Sequence, residues 1–214
     1  MHEILLYITF FSGLVPFCFY VLIICKREGL HNLKPAVPFI WLTLIGSLYE
    51  PIVTIAMSKD SMYWFRVYNV AEFLCLYYFF RNVVQKKYLL LFGSFFFFFI
   101  LSSLMVVILD VGQLRVESIY APFIFLFVLT FSALWFRDTS RNDMLLAKFA
   151  KSNLIFICGF LLYYSGTLFF YLLSEVILVD SKTIGYYDYW LVNIIATLIL
   201  KIFLIGGVWS GKKI

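Results

Sequence analysis

Three ionisable residues inside apolar stretches are the main candidates for chemistry in this chain. Lys201 lies within the apolar stretch 189–209, and Glu50 and Glu72 lie in two earlier apolar stretches. A charged side chain in the middle of a membrane is energetically costly and marks a candidate functional site. The sequence therefore indicates where a site lies, but not which ligand or partner it serves.

Other polar residues recur at steps of three or four in the same stretches, which places them on single helical faces. Polar side chains in a membrane turn toward the protein interior, because lipid tails offer no hydrogen bonds. The faces fall on the second, third, sixth and seventh apolar stretches. Together they predict a polar site that comprises Glu50, Tyr68, Asn69, Glu72, Tyr164, Thr167, Tyr171, Asn193, Thr197 and Lys201.

The composition identifies the class of protein that must position these residues. The chain is 64% hydrophobic and 14% charged, whereas a soluble domain is about half apolar and about a quarter charged. This predicts an integral membrane protein in contact with the lipid bilayer. The net charge of +5 is spread over short loops rather than one patch, so no nucleic-acid partner is expected.

Seven segments are long enough to cross a bilayer as helices, since about 20 apolar residues span its core. The third is the least apolar. The sequence therefore predicts an all-α fold in which residues 1–214 form one transmembrane domain of seven helices, at about 4–25, 36–57, 62–81, 88–109, 119–136, 153–178 and 187–209.

The basic residues in the loops predict the orientation. With the N-terminus outside and the C-terminus inside, twelve basic residues face the cytoplasm and four face outward. Positive residues favour the cytoplasmic side, which predicts a multi-pass protein of the inner (plasma) membrane. The longest loop, 138–152, is either a short interfacial helix or a solvated loop. A cytoplasmic or membrane signalling protein could dock on its basic residues and their neighbours, Arg137, Arg141, Lys148 and Lys151.

Neither a catalytic nor a metal-binding motif is present. The chain has only two histidines, its four cysteines form no Cys-x-x-Cys pair, and the loops are too short to hold a soluble enzyme domain. We therefore expect a protein that is not an enzyme and has no metal or cofactor. A carboxylate dyad of Glu50 and Glu72 is conceivable, but nothing in the sequence requires it.

Depth favours an ion pair between Glu72 and Lys201. Glu72 lies about ten residues from the outer end of its helix, roughly 15 Å deep, and Lys201 about 14 residues, roughly 21 Å deep. The gap of about 6 Å is within reach of two long side chains. Glu50 is a second carboxylate nearer the outside. Two alternatives stay open: Lys201 extends to the cytoplasmic interface, or both glutamates are protonated and hydrogen-bonded between helices.

Three stretches carry a resemblance to a known family. Residues 159–171, Gly-Phe-Leu-Leu-Tyr-Tyr-Ser-Gly-Thr-Leu-Phe-Phe-Tyr, and residues 190–193, Trp-Leu-Val-Asn, together with the part of the third segment from Tyr68 to Glu72, resemble a family of small seven-helix bacterial membrane proteins of uncharacterised activity. Members of that family are often encoded near sensor kinases. The resemblance implies a role in sensing, without implying roles for individual residues.

These observations favour a non-enzymatic sensory, signalling or accessory module, a class that includes bacterial defence accessories. The alternative is a small-solute transporter with three helices, a linker helix and three helices. Its midplane cavity would be lined by Tyr68, Asn69, Glu72, Asn193 and Thr197. A minor alternative is a retinal-binding protein that uses Lys201.

Overall fold

The computed structural model describes residues 12–25, 33–49, 52–53, 62–108, 113–140, 150–180 and 185–211. This part of the chain is helical and contains no β-strand, in agreement with the predicted all-α class. The helices are α1 (Leu14–Cys25), α2 (Val37–Tyr49), α3 (Met62–Val83), α4 (Leu89–Ile108), α5 (Gln113–Ser140), α6 (Ala150–Asp180) and α7 (Gly185–Ser210), with a short 3-10 helix (Lys86–Tyr88) directly before α4.

Four of the described helices are long and apolar enough to cross a membrane. The spans are Lys86–Ile108, Ser118–Ser140, Lys151–Phe169 and Val192–Ser210, and α1 and α2 are shorter apolar helices. The helix α3 has 22 residues but is not among the four spans. It was also the least apolar of the predicted segments, because it contains Arg66, Asn69 and Glu72. The apolar helices are those of a membrane protein.

One helix extends well beyond its predicted apolar segment. The helix α5 begins at Gln113 rather than at 119 and ends at Ser140 rather than at 136, whereas α6, Ala150–Asp180, exceeds the predicted 153–178 by only two or three residues at each end. Hydropathy identifies the part of a helix that fits into lipid, whereas polar residues continue the same helix into water. Pro122 lies inside α5. The rest of the predicted interfacial loop, 141–149, lies outside the described residues.

Consecutive helices run antiparallel, and most of them close into a ring. The helix backbones approach each other closely in the pairs α1 with α2, α2 with α3, α3 with α5, α5 with α6, α6 with α7, and α7 with α1. The helix α4 packs outside this ring on α5, and its rings also contact α3. The ring places residues of α1, α2, α3, α6 and α7 around a common interior.

One end of the bundle, which we call the basic end, carries many of the positive side chains. It contains the end of α3 and the starts of α4 and α6. The residues Leu33, Ser152 and Gly211 converge there, since a Cβ on the glycine would lie 2.5 Å from Leu33 Cδ2 and 3.5 Å from Ser152 Oγ. Its described basic residues are Lys34, Arg81, Lys86, Lys87, Arg137 and Lys151.

Phenylalanine rings fill the interior of the bundle toward the basic end. Phe160 of α6 contacts Phe39 of α2 at a centroid distance of 4.8 Å and Phe79 of α3 at 5.2 Å. Phe156 of α6 also contacts Phe79. We call the four residues Phe39, Phe79, Phe156 and Phe160 the aromatic plug. All four side chains are buried. Edge-to-face contacts of this kind each contribute about 0.5–1.5 kcal/mol beyond the burial of their area.

A second aromatic cluster joins α3, α4 and α5. Phe73 stacks on Phe99 at 3.8 Å, and Phe92 stacks on Phe131 at 3.9 Å. Phe127 of α5 lies between them and is fully buried. These five rings pack against each other, whereas Phe97 and Phe98 of α4 are exposed.

Candidate functional site

Lys201 is buried in a corner formed by α1, α2 and α7. Its side chain is 5% exposed. A Cβ placed on Gly13 would lie 3.3 Å from the Lys201 Nζ and 1.7 Å from the Ser47 Oγ. The ammonium and the hydroxyl therefore both lie against the backbone at Gly13, where only a residue without a side chain fits.

The ammonium lies within the bundle rather than at its basic end. Helices α1 and α7 run in the same direction, because Gly13 lies beside Lys201 while Phe19 contacts Trp209 further along both helices, at a centroid distance of 5.9 Å. Gly13, beside the ammonium, precedes Phe19 by six residues, which is about 9 Å along the helix. The Lys201 ammonium is therefore buried inside the bundle and does not extend to the interface beside Trp209.

Glu72 of α3 is buried where this helix meets α6. It is 6% exposed, and Tyr164 of α6 is 4% exposed. The Tyr164 hydroxyl faces the Glu72 carboxyl closely enough for direct electrostatic interaction, but outside the geometry of a formed hydrogen bond. Tyr163, Tyr68 and the Cys75 thiol are further electrostatic neighbours of this pair. A small rotation would allow the tyrosine to donate a hydrogen bond to the carboxylate.

Tyr68 of α3 packs against α2. Its ring lies against Gly46, since a Cβ there would be 2.9 Å from the Tyr68 Cε2. Gly46 directly precedes Ser47, which lies beside the ammonium. Tyr68 is also an electrostatic neighbour of Tyr164, so neighbouring residues lead from Lys201 through Ser47 and Tyr68 to Tyr164 and Glu72. We call these five residues the polar layer.

Several hydroxyls of the predicted site are bonded to their own helix instead. The Thr167 Oγ1 donates to the Tyr163 carbonyl at 2.9 Å, and the Thr197 Oγ1 donates to the Asn193 carbonyl at 2.8 Å. Such bonds to the preceding turn satisfy the hydroxyl proton without a partner on another helix. These threonines therefore need no ligand to satisfy their donors.

The remaining predicted residues are less closely tied to the polar layer. Asn69 and Tyr171 are half-buried, and the Tyr171 carbonyl accepts a hydrogen bond from the Ser118 hydroxyl of α5 at 2.9 Å. Asn193 is half-buried, and its side-chain oxygen is shielded from solvent and accepts no hydrogen bond within the described residues. Glu50 lies outside the described residues.

The sequence did not predict the role of α1. Helices 2, 3, 6 and 7 were expected to build the polar interior, yet α1 covers the Lys201 ammonium through Gly13. The sequence also did not predict that α3 would approach α2 closely at Gly46. The available signal was the small residues themselves, because glycines in membrane helices often mark places where two helices approach closely.

Comparison with known proteins does not assign the chain to a group: no protein-family model, curated protein or solved structure matches it. The functional argument therefore depends on the side chains. A buried amine and a buried carboxyl, joined by hydroxyl groups, can hold an ion pair, bind a small polar molecule or accept a proton.

Proposed function

We propose that this chain is a seven-span inner-membrane protein, with its N-terminus outside and its C-terminus inside, that acts as a non-enzymatic sensory or accessory module. The polar layer is its sensing site, and Glu72 is the counter-charge of Lys201. The single observation that carries this proposal is the burial of Lys201 within the bundle. The resemblance to seven-helix proteins encoded near sensor kinases agrees with this role.

The energetic argument is that buried charges do not improve stability. Replacement of a buried ion pair by apolar residues of similar volume is often neutral or stabilising, whereas removal of one partner costs about 3–5 kcal/mol. An amine and a carboxyl inside a lipid-embedded bundle are therefore better explained by a functional role than by a contribution to folding stability.

The proposed mechanism is a shift between two helix packings. The amine lies in the corner of α1, α2 and α7, and the carboxyl lies between α3 and α6. A change in charge or occupancy at Glu72 alters the attraction between these two groups of helices, and Tyr68 against Gly46 transmits the change between α3 and α2. A ligand or proton shifts such an equilibrium only by its difference in affinity for the two packings.

A double-mutant cycle tests the pairing of Glu72 with Lys201. Glu72→Gln and Lys201→Met should each lower the free energy of unfolding in detergent by about 3–5 kcal/mol, because each leaves the other charge buried alone. The double variant should recover a large part of this loss. The exposed Lys151→Met is the matched control and should be neutral. Additive effects, within about 0.5 kcal/mol, would contradict the pair.

The sensing role predicts a conformational response to protons. Trp64 is a natural reporter, because it stacks on Tyr49 at 4.0 Å and lies one turn from Tyr68. In nanodiscs, a change from neutral to mildly acidic pH should alter the tryptophan fluorescence of the wild type. Glu72→Gln and the reporter control Trp64→Phe should both lack this change. An unresponsive wild type would contradict proton sensing at this site.

Reporter fusions test the orientation. A fusion at the C-terminus should be active only as a cytoplasmic reporter, and a tag at the N-terminus should be cleaved by protease added outside the cell. The reverse pattern would overturn the proposed topology. Solute flux into proteoliposomes would favour the transporter alternative instead.

A further inference from the structure

A second cluster of polar groups joins the start of α4 to the end of α5 at the basic end. The Lys87 Nζ donates to the Asp138 Oδ1 at 2.8 Å, and the Tyr88 hydroxyl donates to the same oxygen at 2.9 Å. The Arg137 Nη2 donates to the Tyr88 hydroxyl, and its Nε lies 3.8 Å from the Asp138 Oδ1. We call these four residues the α4–α5 corner.

The two cations of this corner are held in place and remain open to a ligand. The side chains of Lys87 and Arg137 are 50% and 49% exposed, whereas that of Asp138 is 8% exposed. Both cations lie over the Tyr88 ring, at 4.8 and 5.5 Å from its centroid. An ammonium has three N–H donors and a guanidinium five, more than the one carboxylate oxygen and one hydroxyl that they contact can accept.

The described residues at the corner carry a net positive charge. Lys86 is exposed beside it, so three cations, Lys86, Lys87 and Arg137, lie near the one carboxylate that the described part of this region contains, that of Asp138. An excess of positive charge of this kind attracts an anionic ligand.

The surface directly beside the corner is apolar and exposed. Leu89 and Leu90, the first two residues of α4, are 55% and 89% exposed. A ligand that fits both surfaces must have an anionic head and an apolar tail. Inorganic phosphate would match the cations, but not the leucines.

We infer that the α4–α5 corner binds the phosphate of an anionic phospholipid, with the acyl chains lying along Leu89 and Leu90. Lys87 and Arg137 contact the phosphate, and Asp138 orients both cations while its single negative charge leaves them with a net positive charge. This inference rests on the proposed transmembrane arrangement, because the basic end must lie at a leaflet surface.

Native mass spectrometry of the full chain tests the inference, with phosphatidylglycerol as the probe and phosphatidylcholine as the uncharged comparison. The wild type should retain phosphatidylglycerol preferentially. Lys87→Gln/Arg137→Gln should weaken its binding by about tenfold or more, because both charge-assisted hydrogen bonds to the phosphate are lost. The matched control Lys34→Gln/Lys151→Gln removes two exposed charges from the same end and should change binding less than about twofold.

Each other outcome overturns the inference. An equal loss in both double variants would indicate attraction to the basic end as a whole, and no loss in either would exclude the corner. Displacement of the lipid by inorganic phosphate would indicate a site for a soluble anion. Arg137→Gln alone leaves the bond between Lys87 and Asp138 intact and should still weaken binding by about threefold or more, which keeps the test valid if the double variant folds poorly. Failure of the reporter-fusion test, by contrast, would overturn the orientation and not the binding measurement.

Discussion

Gly13→Ala is the sharpest test of the corner that holds the buried amine. The added Cβ would lie 1.7 Å from the Ser47 Oγ, 2.5 Å from the Ser47 Cβ and 3.3 Å from the Lys201 Nζ. Because carbon atoms pack at about 3.5–4.0 Å, α1 and α2 must separate by about 1–1.5 Å. Overpacking of this kind costs about 1–3 kcal/mol, so Tm in detergent should fall by about 2–12 °C.

Substitutions at Ser47 should rescue Gly13→Ala in a defined order. Ser47→Ala removes the hydroxyl but leaves the Cβ contact at 2.5 Å, so the rescue should be partial. Ser47→Gly removes both contacts and should give the fuller rescue, when each double variant is compared with its own Ser47 single variant. Thermal unfolding monitored by tryptophan fluorescence measures the series.

Gly93→Ala is the matched control, because nothing lies within 4 Å of a Cβ at that position of α4. Alanine favours a helix over glycine by about 0.5–1 kcal/mol, so the control should be neutral or slightly stabilising. If Gly13→Ala were as stable as Gly93→Ala, the close approach of α1 to α2 would be wrong, and with it the location of the Lys201 ammonium.

Three further results are expected from the packing. Gly159→Ala should lower Tm by several degrees and Gly166→Ala should not, because the added Cβ would lie 2.5 Å from α7 in the first case and 3.7 Å in the second. Tyr164→Phe should leave Tm unchanged or slightly higher, because its buried hydroxyl makes no hydrogen bond to the residues that the structure describes. It should nevertheless weaken the fluorescence response that depends on Glu72, and a large loss of stability would show that the hydroxyl already has a partner. Phe127→Ala should lower the free energy of unfolding by about 3–5 kcal/mol in chemical denaturation, because its ring is fully buried; a loss below about 1 kcal/mol would contradict the cluster.

The helical class and the approximate positions of the helices could be predicted from the sequence, because hydropathy records directly which segments suit lipid. The ends of α3, α4, α6 and α7 lie within three residues of the predicted bounds, whereas those of α5 do not. The predicted segment 119–136 corresponds to Gln113–Ser140, since a helix continues through polar residues once its backbone hydrogen bonds are formed. Pro122 therefore lies well inside α5.

The candidate site was predictable only in part, because periodicity identifies a helical face but not the groups that the face meets. Thr167 and Thr197 fit the polar pattern, yet each hydroxyl donates to its own helix. Gly13 and Gly46 carry no polar atoms in a side chain, yet they determine how closely α1 and α3 approach α2. Contacts of this kind depend on the rotation and order of the helices around the ring, which no single segment encodes.

The aromatic plug bears on the choice between a sensor and a transporter. It lies between the polar layer and the basic end, and its rings at Phe39, Phe79, Phe156 and Phe160 are buried with at most 1% exposure. A transporter would have to separate these rings in every cycle and lose several contacts of about 0.5–1.5 kcal/mol each. A sensor needs only to shift them. Under the proposed orientation, the plug closes the cytoplasmic side, so a proton or ligand from outside would alter the packing at Glu72 without passing through the bundle.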